Sequence, residues 1–400
     1  MRKYLKPFIF TALACTFLLS AEISIDAASK VAINDTNFAR AVKEYAEEAD
    51  TNKDGYLSKK EASKITKVRF FSQYNVDSFK GIEYFTDIKE FYYRADYATD
   101  DYDDVNIYET STAPEIDLSG FQKLSQVTID SRNPYLKTVS LQDCNNLKNV
   151  VIEGRREGCV ENLSLKGCTN LRTLTLDCIN VKKLNLSGLK KLTDISASGD
   201  YLETLNLKKC SSLKTVFAGG NCLTKLKLKG AKNLENLTVT GSALSSLDLS
   251  TNTKLKKIYL GQETKLTSLD FSHNTNLTTM ECYRTELTAL DFSHNKNLVK
   301  VDCHNNKNIT SINVKGCKKL KNFRFDNTKV SRINVKTNSN LQRLRCENTA
   351  LEKLNLKNNV NLKKLRCDNT ELTTLDLSNT KIRKSSALQC DPDVTVTYAK

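Results

Sequence analysis

The chain has 400 residues, of which 39% are hydrophobic, and a formal net charge of +15. The charge is uneven: residues 113–400 hold 46 basic and 27 acidic side chains, whereas residues 30–112 hold 12 basic and 17 acidic ones. Only three histidines are present, so there is little room for histidine-based acid–base catalysis or metal binding. A basic body favours acidic partners over cationic ones.

Residues 1–29 have the layout of a secretory signal peptide. Basic residues open the chain, an apolar run covers residues 8–19, and small and polar residues follow. The run is too short to cross a bilayer as a helix, and no second apolar segment follows it. Lipidation at Cys15 is an alternative. We predict a secreted protein without a membrane span or a covalent wall anchor, and leave open an association with the cell surface.

Residues 30–70 are predicted to form a helical cap around a calcium-binding loop. Phe38, Val42 and Tyr45 share one face of a helix that leads into "DTNKDGYLSKKE", residues 50–61. Gly55 supplies a sharp bend at the sixth position of this loop. The expected oxygen ligands are Asp50, Asn52, Asp54, Tyr56 through its backbone carbonyl, Ser58 and Glu61. The pattern is that of an EF-hand, in which hard oxygen ligands surround a hard cation.

A single loop of this kind predicts weak calcium binding. No second intact loop is present to pair with it, and isolated extracellular loops bind with dissociation constants of roughly 10⁻⁴ to 10⁻³ M. We therefore expect Ca²⁺ to be structural, in a cap that precedes the repeats, and not to act as a switch. The alternative is a polar turn between two helices without a metal.

A short apolar repeat organises most of the remaining chain. Residues 71–112 read as irregular first repeats with an acidic insert, residues 113–383 as the repeat body, and residues 384–400 as a C-terminal capping strand. The frame L-x-x-L-x-L recurs from Leu171 onward at a short and nearly constant spacing, with its next copy at Val181. Two kinds of half-unit alternate, one like "LTSLDFSHNTN" and the other like "LTTMECYRTE".

This period predicts a parallel β-solenoid. The last two apolar residues of each frame alternate as in a strand, so one face points into a core. A half-unit cannot bury its apolar edge alone, but stacked coils bury the apolar edges of all half-units in one column. Two half-units make one coil of 21 or 22 residues, so we expect two parallel ladders of strands and about a dozen coils, roughly 60 Å long at about 4.8 Å per strand.

The cysteines occupy template places of the repeat. Twelve of the 13 follow the predicted signal peptide, which in an exported chain could indicate disulfides. Four stand at the ninth place of a half-unit, where asparagine is the usual residue, and four at the inward sixth place of the alternate half-unit: Cys144, Cys168, Cys210 and Cys317, then Cys282, Cys303, Cys346 and Cys367. We expect buried thiols, and disulfides between stacked neighbours are the alternative.

The segment "LDFSHNTNLTTMECYRTELTALDFSHNKNLVKVDC", residues 269–303, resembles the 21-residue leucine-rich repeats of bacterial surface proteins, in particular internalin J-like proteins with a cysteine ladder. The resemblance covers roughly residues 113–380. It implies a curved solenoid, an EF-hand-like helical cap and a role in adhesion or recognition without enzymatic activity. Internalin-like proteins often carry a C-terminal wall-sorting signal, which this sequence lacks.

Two exposed columns of the repeat differ in variability. In the first kind of half-unit the middle exposed residue is always Asn or Asp, which indicates a structural role. In the alternate kind it varies, which is typical of a partner-binding surface. We predict that surface to include an aromatic stretch and a basic ladder: Phe217, Tyr259, Tyr283, Arg324, Arg343, Arg345, Lys364 and Arg366. Asp326, Glu347 and Asp368 form a parallel acidic column, so mutual salt bridges are the alternative reading of the arginines.

These features favour a secreted, non-enzymatic recognition or adhesion scaffold that binds a protein or glycan, with an anionic ligand as one option. The alternative is an envelope-associated structural protein held to anionic cell-wall polymers by a body charge of about +19. We expect no nucleic-acid partner, and a hydrolase is the least favoured class. His273 and His294 stand at the same template place of two successive coils, so the repeat itself explains their spacing.

Overall fold

The computed structural model describes residues 30–95, 111–131, 133–154, 160–199, 201–220, 222–261, 264–383 and 385–399. The predicted signal peptide, Cys15 and most of the acidic insert lie outside these residues. Within them, no helix is both long and apolar enough to cross a membrane.

Helix α1, Thr36–Ala49, begins at Asp35, whose side chain accepts a hydrogen bond from the Phe38 backbone N–H. Its buried face carries Phe38, whose ring meets the ring of Phe70 edge to face at 5.2 Å. Phe70 belongs to the first strand of the solenoid. A second, four-residue helix, α2, covers Lys59–Ala62. The cap therefore buries the apolar end of the first coil, an end that would otherwise face water.

A 15-stranded parallel sheet runs the length of the molecule. Its strands come from the alternate half-units and, before them, from residues 67–95. They are β1 Lys67–Phe70, β2 Glu90–Ala95, β4 Gln126–Ser131, β6 Asn149–Glu153, β8 Thr173–Asp177, β10 Asp194–Ser198, β12 Thr215–Gly219, β14 Asn236–Thr240, β15 Lys257–Gly261, β16 Thr279–Tyr283, β18 Lys300–Asp302, β20 Asn322–Arg324, β21 Arg343–Arg345, β22 Lys364–Arg366 and β24 Leu388–Gln389. We call this the long sheet.

The second ladder is made of short strands and is interrupted. Its strands are β3 Glu115–Asp117, β5 Thr138–Ser140, β7 Asn162–Ser164, β9 Lys183–Asn185, β11 Thr204–Asn206, β13 Lys225–Lys227, β17 Ala289–Asp291, β19 Ser311–Asn313, β23 Thr374–Asp376 and β25 Thr395–Thr397. They form four separate parallel sheets of two or three strands. Three-residue 3-10 helices cover Ser72–Tyr74, Ile82–Tyr84 and Ser385–Ala387.

The parallel β-solenoid predicted from the repeat is confirmed. The second ladder differs from the expectation because it is not continuous: among the described residues, none of its strands lies between β13 and β17. Burial holds the coils together there, since Leu244 and Leu266 are fully buried. The segment 384–400, predicted to form one capping strand, contributes two short strands, of which β24 joins the long sheet and β25 pairs with β23.

Stacked asparagine side chains link successive coils through buried hydrogen bonds. The Nδ2 group of Asn274 donates to the carbonyls of Leu249 and Asn252, and that of Asn295 donates to those of Phe271 and Asn274, at 2.9–3.1 Å. Buried carbonyls that cannot reach water must be paired in this way. The ninth place of the half-unit therefore holds the loop backbone, as its sequence pattern predicts.

Candidate functional site

The loop at residues 50–61 has a preorganised first half. Gly55 has a φ of +81°, and its N–H donates to Asp50 Oδ2 at 3.0 Å. Asn52 Oδ1 accepts from the Asp54 N–H at 3.1 Å, and Asp54 Oδ1 accepts from the Tyr56 N–H at 2.8 Å. These bonds turn the chain around a common centre, because each side chain bends back onto the backbone that follows it.

The second half of the loop is closed by a capping box. Ser58 Oγ accepts from the Glu61 N–H at 3.2 Å, and Glu61 Oε2 accepts from the Ser58 N–H at 3.1 Å. Glu61 Oε1 accepts from the N–H and the hydroxyl of Thr51, each at 3.0 Å. Hydrogen bonds from Ser58, and then from Thr51, lower the pKa of Glu61 to about 2. The carboxylate is thus ionised and ties the two ends of the loop together.

The donor set of this loop fits a hard cation. Asp50 Oδ1 is buried and has no hydrogen-bond partner, so a cation in the loop would supply the partner that this oxygen lacks. The carboxylates are not drawn together, since the described residues contain no group of three or more His, Cys, Asp or Glu side chains that could hold a metal.

Residues 30–31 pair with the backbone of the loop at Leu57 and Ser58. The Val31 N–H donates to the carbonyl of Leu57 at 3.0 Å, and Lys30 and Ser58 form an antiparallel bridge. The segment directly after the predicted signal peptide therefore pairs with the loop backbone. The sequence alone did not reveal this contact, because nothing in residues 30–31 marks them as a strand.

On the long sheet, parallel register aligns one exposed residue from the middle of each strand in a single column. From the cap end this middle column consists of Arg69, Tyr92, Thr128, Val151, Thr175, Ser196, Phe217, Thr238, Tyr259, Glu281, Asp302, Arg324, Arg345, Arg366 and Gln389. Its chemistry changes from uncharged to acidic at Glu281 and from acidic to basic at Arg324.

The register corrects one prediction about the aromatic stretch. Phe217 and Tyr259 belong to the middle column, but Tyr283 pairs with Gly261 and stands two residues further along its strand. Glu281 occupies the place that the sequence interpretation gave to Tyr283. The step from Tyr259 to Tyr283 is longer than one coil of the repeat, so a correct count leads from Tyr259 to Glu281 and then to Asp302.

The arginines at the C-terminal end of the column are partly neutralised. Arg324 Nε lies 2.5 Å from Asp326 Oδ1, and Arg345 Nε lies 3.0 Å from Glu347 Oε1. Hydrogen bonding to Asp326 raises the pKa of Arg324. Arg366 is exposed and makes no ion pair with another described residue. The salt-bridge reading therefore holds for two arginines of the column, and the third offers an open charge.

Arg343 and Lys364 lie in the neighbouring column, where they pair in register. Both are exposed, and Arg343 Nη1 donates to Asn322 Oδ1 at 3.2 Å. With Arg366 they form a basic group at the C-terminal end of the long sheet. Exposed cations at this spacing attract anions, although water and salt screen them.

A cleft of about 280 Å³ lies where the middle column passes from the uncharged Tyr259 to the acidic Glu281 and Asp302. It is lined by Tyr259, Glu281, Cys282, Tyr283, Asp302 and His304. The Tyr259 and Tyr283 rings meet edge to face at 5.7 Å, and burial, followed by the contact with Tyr283, raises the pKa of Tyr259. Glu281, Asp302 and His304 were not among the predicted site residues. A second concavity, of about 330 Å³, lies beside Arg69 and Tyr92 near the cap.

The second ladder bears out a structural reading of its uniform Asn/Asp column. Every one of these side chains accepts a hydrogen bond from the backbone N–H two residues on, at 2.8–3.2 Å. The residues are Asn185, Asn206, Asp248, Asp270, Asp291, Asn313, Asn334, Asn355 and Asp376. Their role is to turn the chain. His273 and His294 contact the serine that precedes each of them and belong to no metal-binding group of described residues.

The eight cysteines at the two template places of the repeat are free thiols. The cysteines at the ninth place replace asparagine as hydrogen-bond donors to buried carbonyls. For example, Cys168 Sγ donates to the Leu141 carbonyl at 3.0 Å. Burial raises the pKa of Cys144, Cys210 and Cys317 to about 11, raises that of Cys168 and Cys367 to about 12, and raises that of Cys282, Cys303 and Cys346 well above the ordinary value. All eight are therefore neutral core side chains at physiological pH.

The stacked coils, the buried cysteine and asparagine ladders and the long exposed sheet define the chain as a leucine-rich-repeat solenoid. The functional domain of InlJ from Listeria monocytogenes, described as including a cysteine ladder, matches with a TM-score of 0.52 and 21% identity over 86% of this chain and 76% of that one. Internalin InlF of the same species matches with a TM-score of 0.45 and 18% identity over 88% and 94%. At these identities the likeness to InlJ shows the fold alone. No protein-family model and no curated protein matches the sequence.

Proposed function

We propose that the protein is a secreted, non-enzymatic recognition scaffold that binds a protein or glycan partner through the exposed face of the long sheet. The contrast between the two ladders carries this proposal. The exposed Asn and Asp residues of the second ladder are held by backbone hydrogen bonds, whereas the middle column changes from aromatic to acidic to basic residues. Local folding does not require that variation, and partner recognition does.

Capture on the immobilised protein tests the proposal. Surface extracts and wall fragments are passed over the wild type and over a variant with Phe217→Ser, Tyr259→Ser and Arg366→Ser. We expect the variant to retain less than about a tenth of the captured partner, since aromatic and arginine residues dominate binding energies. The matched control carries Lys225→Ser and Lys227→Ser on the second ladder and should capture as much as the wild type. Equal capture by all three proteins would refute a site on the long sheet.

We further propose that Ca²⁺ stabilises the cap. The oxygens of Asp50, Asn52 and Asp54, the carbonyl of Tyr56 and the carboxylate of Glu61 would hold the ion, with Ser58 binding through water. The ion would replace the missing partner of Asp50 Oδ1 and tie α1 to α2. At 10 mM Ca²⁺ and a dissociation constant of about 1 mM, linkage predicts about 1.4 kcal/mol of stabilisation.

Terbium luminescence tests this site directly, because Tyr56 can sensitise a bound lanthanide. We expect Tb³⁺ emission on tyrosine excitation, displacement of Tb³⁺ by Ca²⁺, and loss of both signals in Asp50→Ala. Since Glu61 also caps α2, Glu61→Gln is the better second variant: it keeps an acceptor for Ser58 and removes the charge. If the calcium-dependent rise in melting temperature is absent from the wild type, or persists in Asp50→Ala, the cap does not bind calcium there.

The basic body supports a second candidate function, in which charge holds the protein to anionic wall polymers. Arg343, Lys364 and Arg366 are exposed cations near the C-terminal end of the long sheet that favour it. Such retention should fall steeply between 0.05 and 0.5 M salt, roughly the range over which the screening length shrinks from about 14 to 4 Å. Retention on wall fragments that is insensitive to salt would exclude this mode.

A further inference from the structure

Within the proposed recognition face, the cleft at Tyr259 and Tyr283 has a geometry of its own. It exists because Gly261 lies beneath the Tyr283 ring: a Cβ atom at Gly261 would stand 2.7 Å from Tyr283 Cε1. The glycine lets the ring fold across the sheet towards Tyr259. On its other side Tyr283 stacks on His304, with ring centroids 5.8 Å apart and planes within 15°. Three rings therefore border two carboxylates.

The carboxylates face each other across neighbouring strands. Glu281 and Asp302 are aligned in parallel register, an arrangement of like charges that costs stability unless a cation lies near. Lys300 Nζ approaches Glu281 Oε1 at 2.8 Å, and His304 Nδ1 approaches Asp302 Oδ1 at 2.7 Å. Arg324 reaches Asp302 Oδ2 only at 3.9 Å, because its stronger contact is with Asp326.

One oxygen of each carboxylate is available to a ligand. Glu281 Oε2 has no hydrogen-bond partner among the described residues, and Asp302 Oδ2 has only the distant Arg324. Neither atom is among the buried oxygens without a partner, and the side chains of Glu281 and Asp302 are 30% and 13% exposed. Two open acceptors beside aromatic rings match a planar donor that is also a cation, since rings attract cations and carboxylates accept paired N–H bonds.

A neutral sugar fits this cleft less well. Stacking on a sugar needs an open ring face, but the Tyr259 and Tyr283 rings meet at 64° and Tyr283 is stacked on His304. A guanidinium group approaches ring edges, hydroxyls and carboxylates together. Building on the proposed recognition function, we propose that this cleft binds an arginine side chain of a partner protein, between the tyrosine rings and the carboxylates of Glu281 and Asp302.

The experiment uses the full mature chain and small probes. N-acetyl-arginine methylamide is titrated into protein labelled with 3-fluorotyrosine, and the Tyr259 and Tyr283 resonances are assigned with Tyr→Phe variants. N-acetyl-citrulline methylamide, which has the same shape without the charge, is the matched probe, and N-acetylglucosamine is the sugar probe. We expect saturable shifts of both resonances with the arginine probe and at least about tenfold weaker binding of the citrulline probe.

Two variants are expected to change binding of the arginine probe in opposite directions. A folding defect could only weaken binding, so it could not produce both results. Glu281→Gln with Asp302→Asn should weaken binding of the arginine probe at least about tenfold, whereas Lys300→Met, which removes the internal competitor, should tighten it. A control variant, Glu352→Gln, should leave it unchanged. Equal binding of the arginine and citrulline probes, stronger binding of the sugar, or no effect of the carboxylate changes would overturn the proposal.

Partner capture separates this inference from the proposed function on which it rests. If the Phe217, Tyr259 and Arg366 variant loses the partner while the Glu281→Gln, Asp302→Asn protein keeps it, the recognition face stands and the arginine cleft is wrong. If neither variant loses the partner, the proposed face itself is wrong.

Discussion

We expect this solenoid to unfold at a lower alkaline pH than a protein of similar stability without buried thiols, because its core contains many thiols. The eight ladder cysteines are at most 1% exposed. The ordinary pKa of a cysteine is 9.0, whereas burial raises that of Cys144 to about 11 and that of Cys168 to about 12. Below pH 8 the thiols are neutral in both states. Between pH 9 and 11 the unfolded chain releases protons that the folded chain keeps, so stability falls as the pH rises.

The size of the effect follows from the number of thiols. At pH 10 a thiol with a pKa of 9.0 is about 90% ionised and one with a pKa of 11 about 10%, a difference of about 1 kcal/mol in favour of the unfolded state. Summed over the eight buried thiols, the destabilisation is on the order of 10 kcal/mol, which is comparable with the total stability of roughly 5–15 kcal/mol of ordinary domains. We therefore expect unfolding near pH 10.

Urea unfolding followed by far-ultraviolet circular dichroism at pH 8, 9 and 10, with a phosphine reductant, measures this loss. The matched variant replaces four inward thiols with alanine, the residue found at the same place in Ala197 and Ala218. The replaced thiols are Cys282, Cys303, Cys346 and Cys367. The variant should lose about half as much stability between pH 8 and 10. An identical pH dependence in the two proteins would show that lysine or tyrosine ionisation, and not thiol ionisation, governs the transition.

Further substitutions test the cap, the asparagine ladder and the cleft. Phe38→Ala should cost about 3–5 kcal/mol of cap stability by hydrogen exchange, whereas Phe71→Ala, at an exposed ring, should cost less than about 1. Asn295→Ala removes two buried donations and should lower the free energy of unfolding by about 2–4 kcal/mol in urea, and Asn295→Cys should cost less. Gly261→Ala should shift the Tyr283 fluorine resonance and change stability by less than about 1 kcal/mol, since the ring can swing away.

The fold was largely predictable because each template place has one physical task. The regular spacing of the frame aligns Leu244 with Leu266 in the core, and the ninth place must satisfy buried carbonyls whether it holds Asn295 or Cys317. Because the coils are stacked, every coil has the same physical requirement at the same template place. The requirement is therefore visible many times in the sequence. The interruption of the second ladder was not predictable in this way, because the apolar pattern continues through it.

The candidate site was less predictable because it depends on deviations from the repeat. Tyr283 stands two residues beyond its expected column, and counting the residues of each coil could have shown this from the sequence. The approach of the Tyr283 ring to Tyr259 could not be read in the same way, because it depends on the space that Gly261 leaves beneath the ring. The pairing of Arg345 with Glu347 was foreseen as an alternative, since both columns were visible in the sequence. The sequence did not reveal that Arg366 is the arginine without an ion pair among the described residues, because that depends on side-chain geometry.

The division of labour between the two ladders explains how a repeat protein can keep its fold while its surface varies. In the second ladder, the half-buried Asn313 accepts a hydrogen bond from a backbone N–H and cannot change without loosening a turn. On the long sheet, the strands are held by backbone pairing and buried leucines, so exposed residues such as Phe217 and Arg366 carry little of the fold. Substitutions in the middle column should therefore alter binding at nearly constant melting temperature, whereas Asn313→Ala should lower the melting temperature at nearly constant binding. A middle-column variant that lost both together would place the column in the scaffold instead of on the recognition surface.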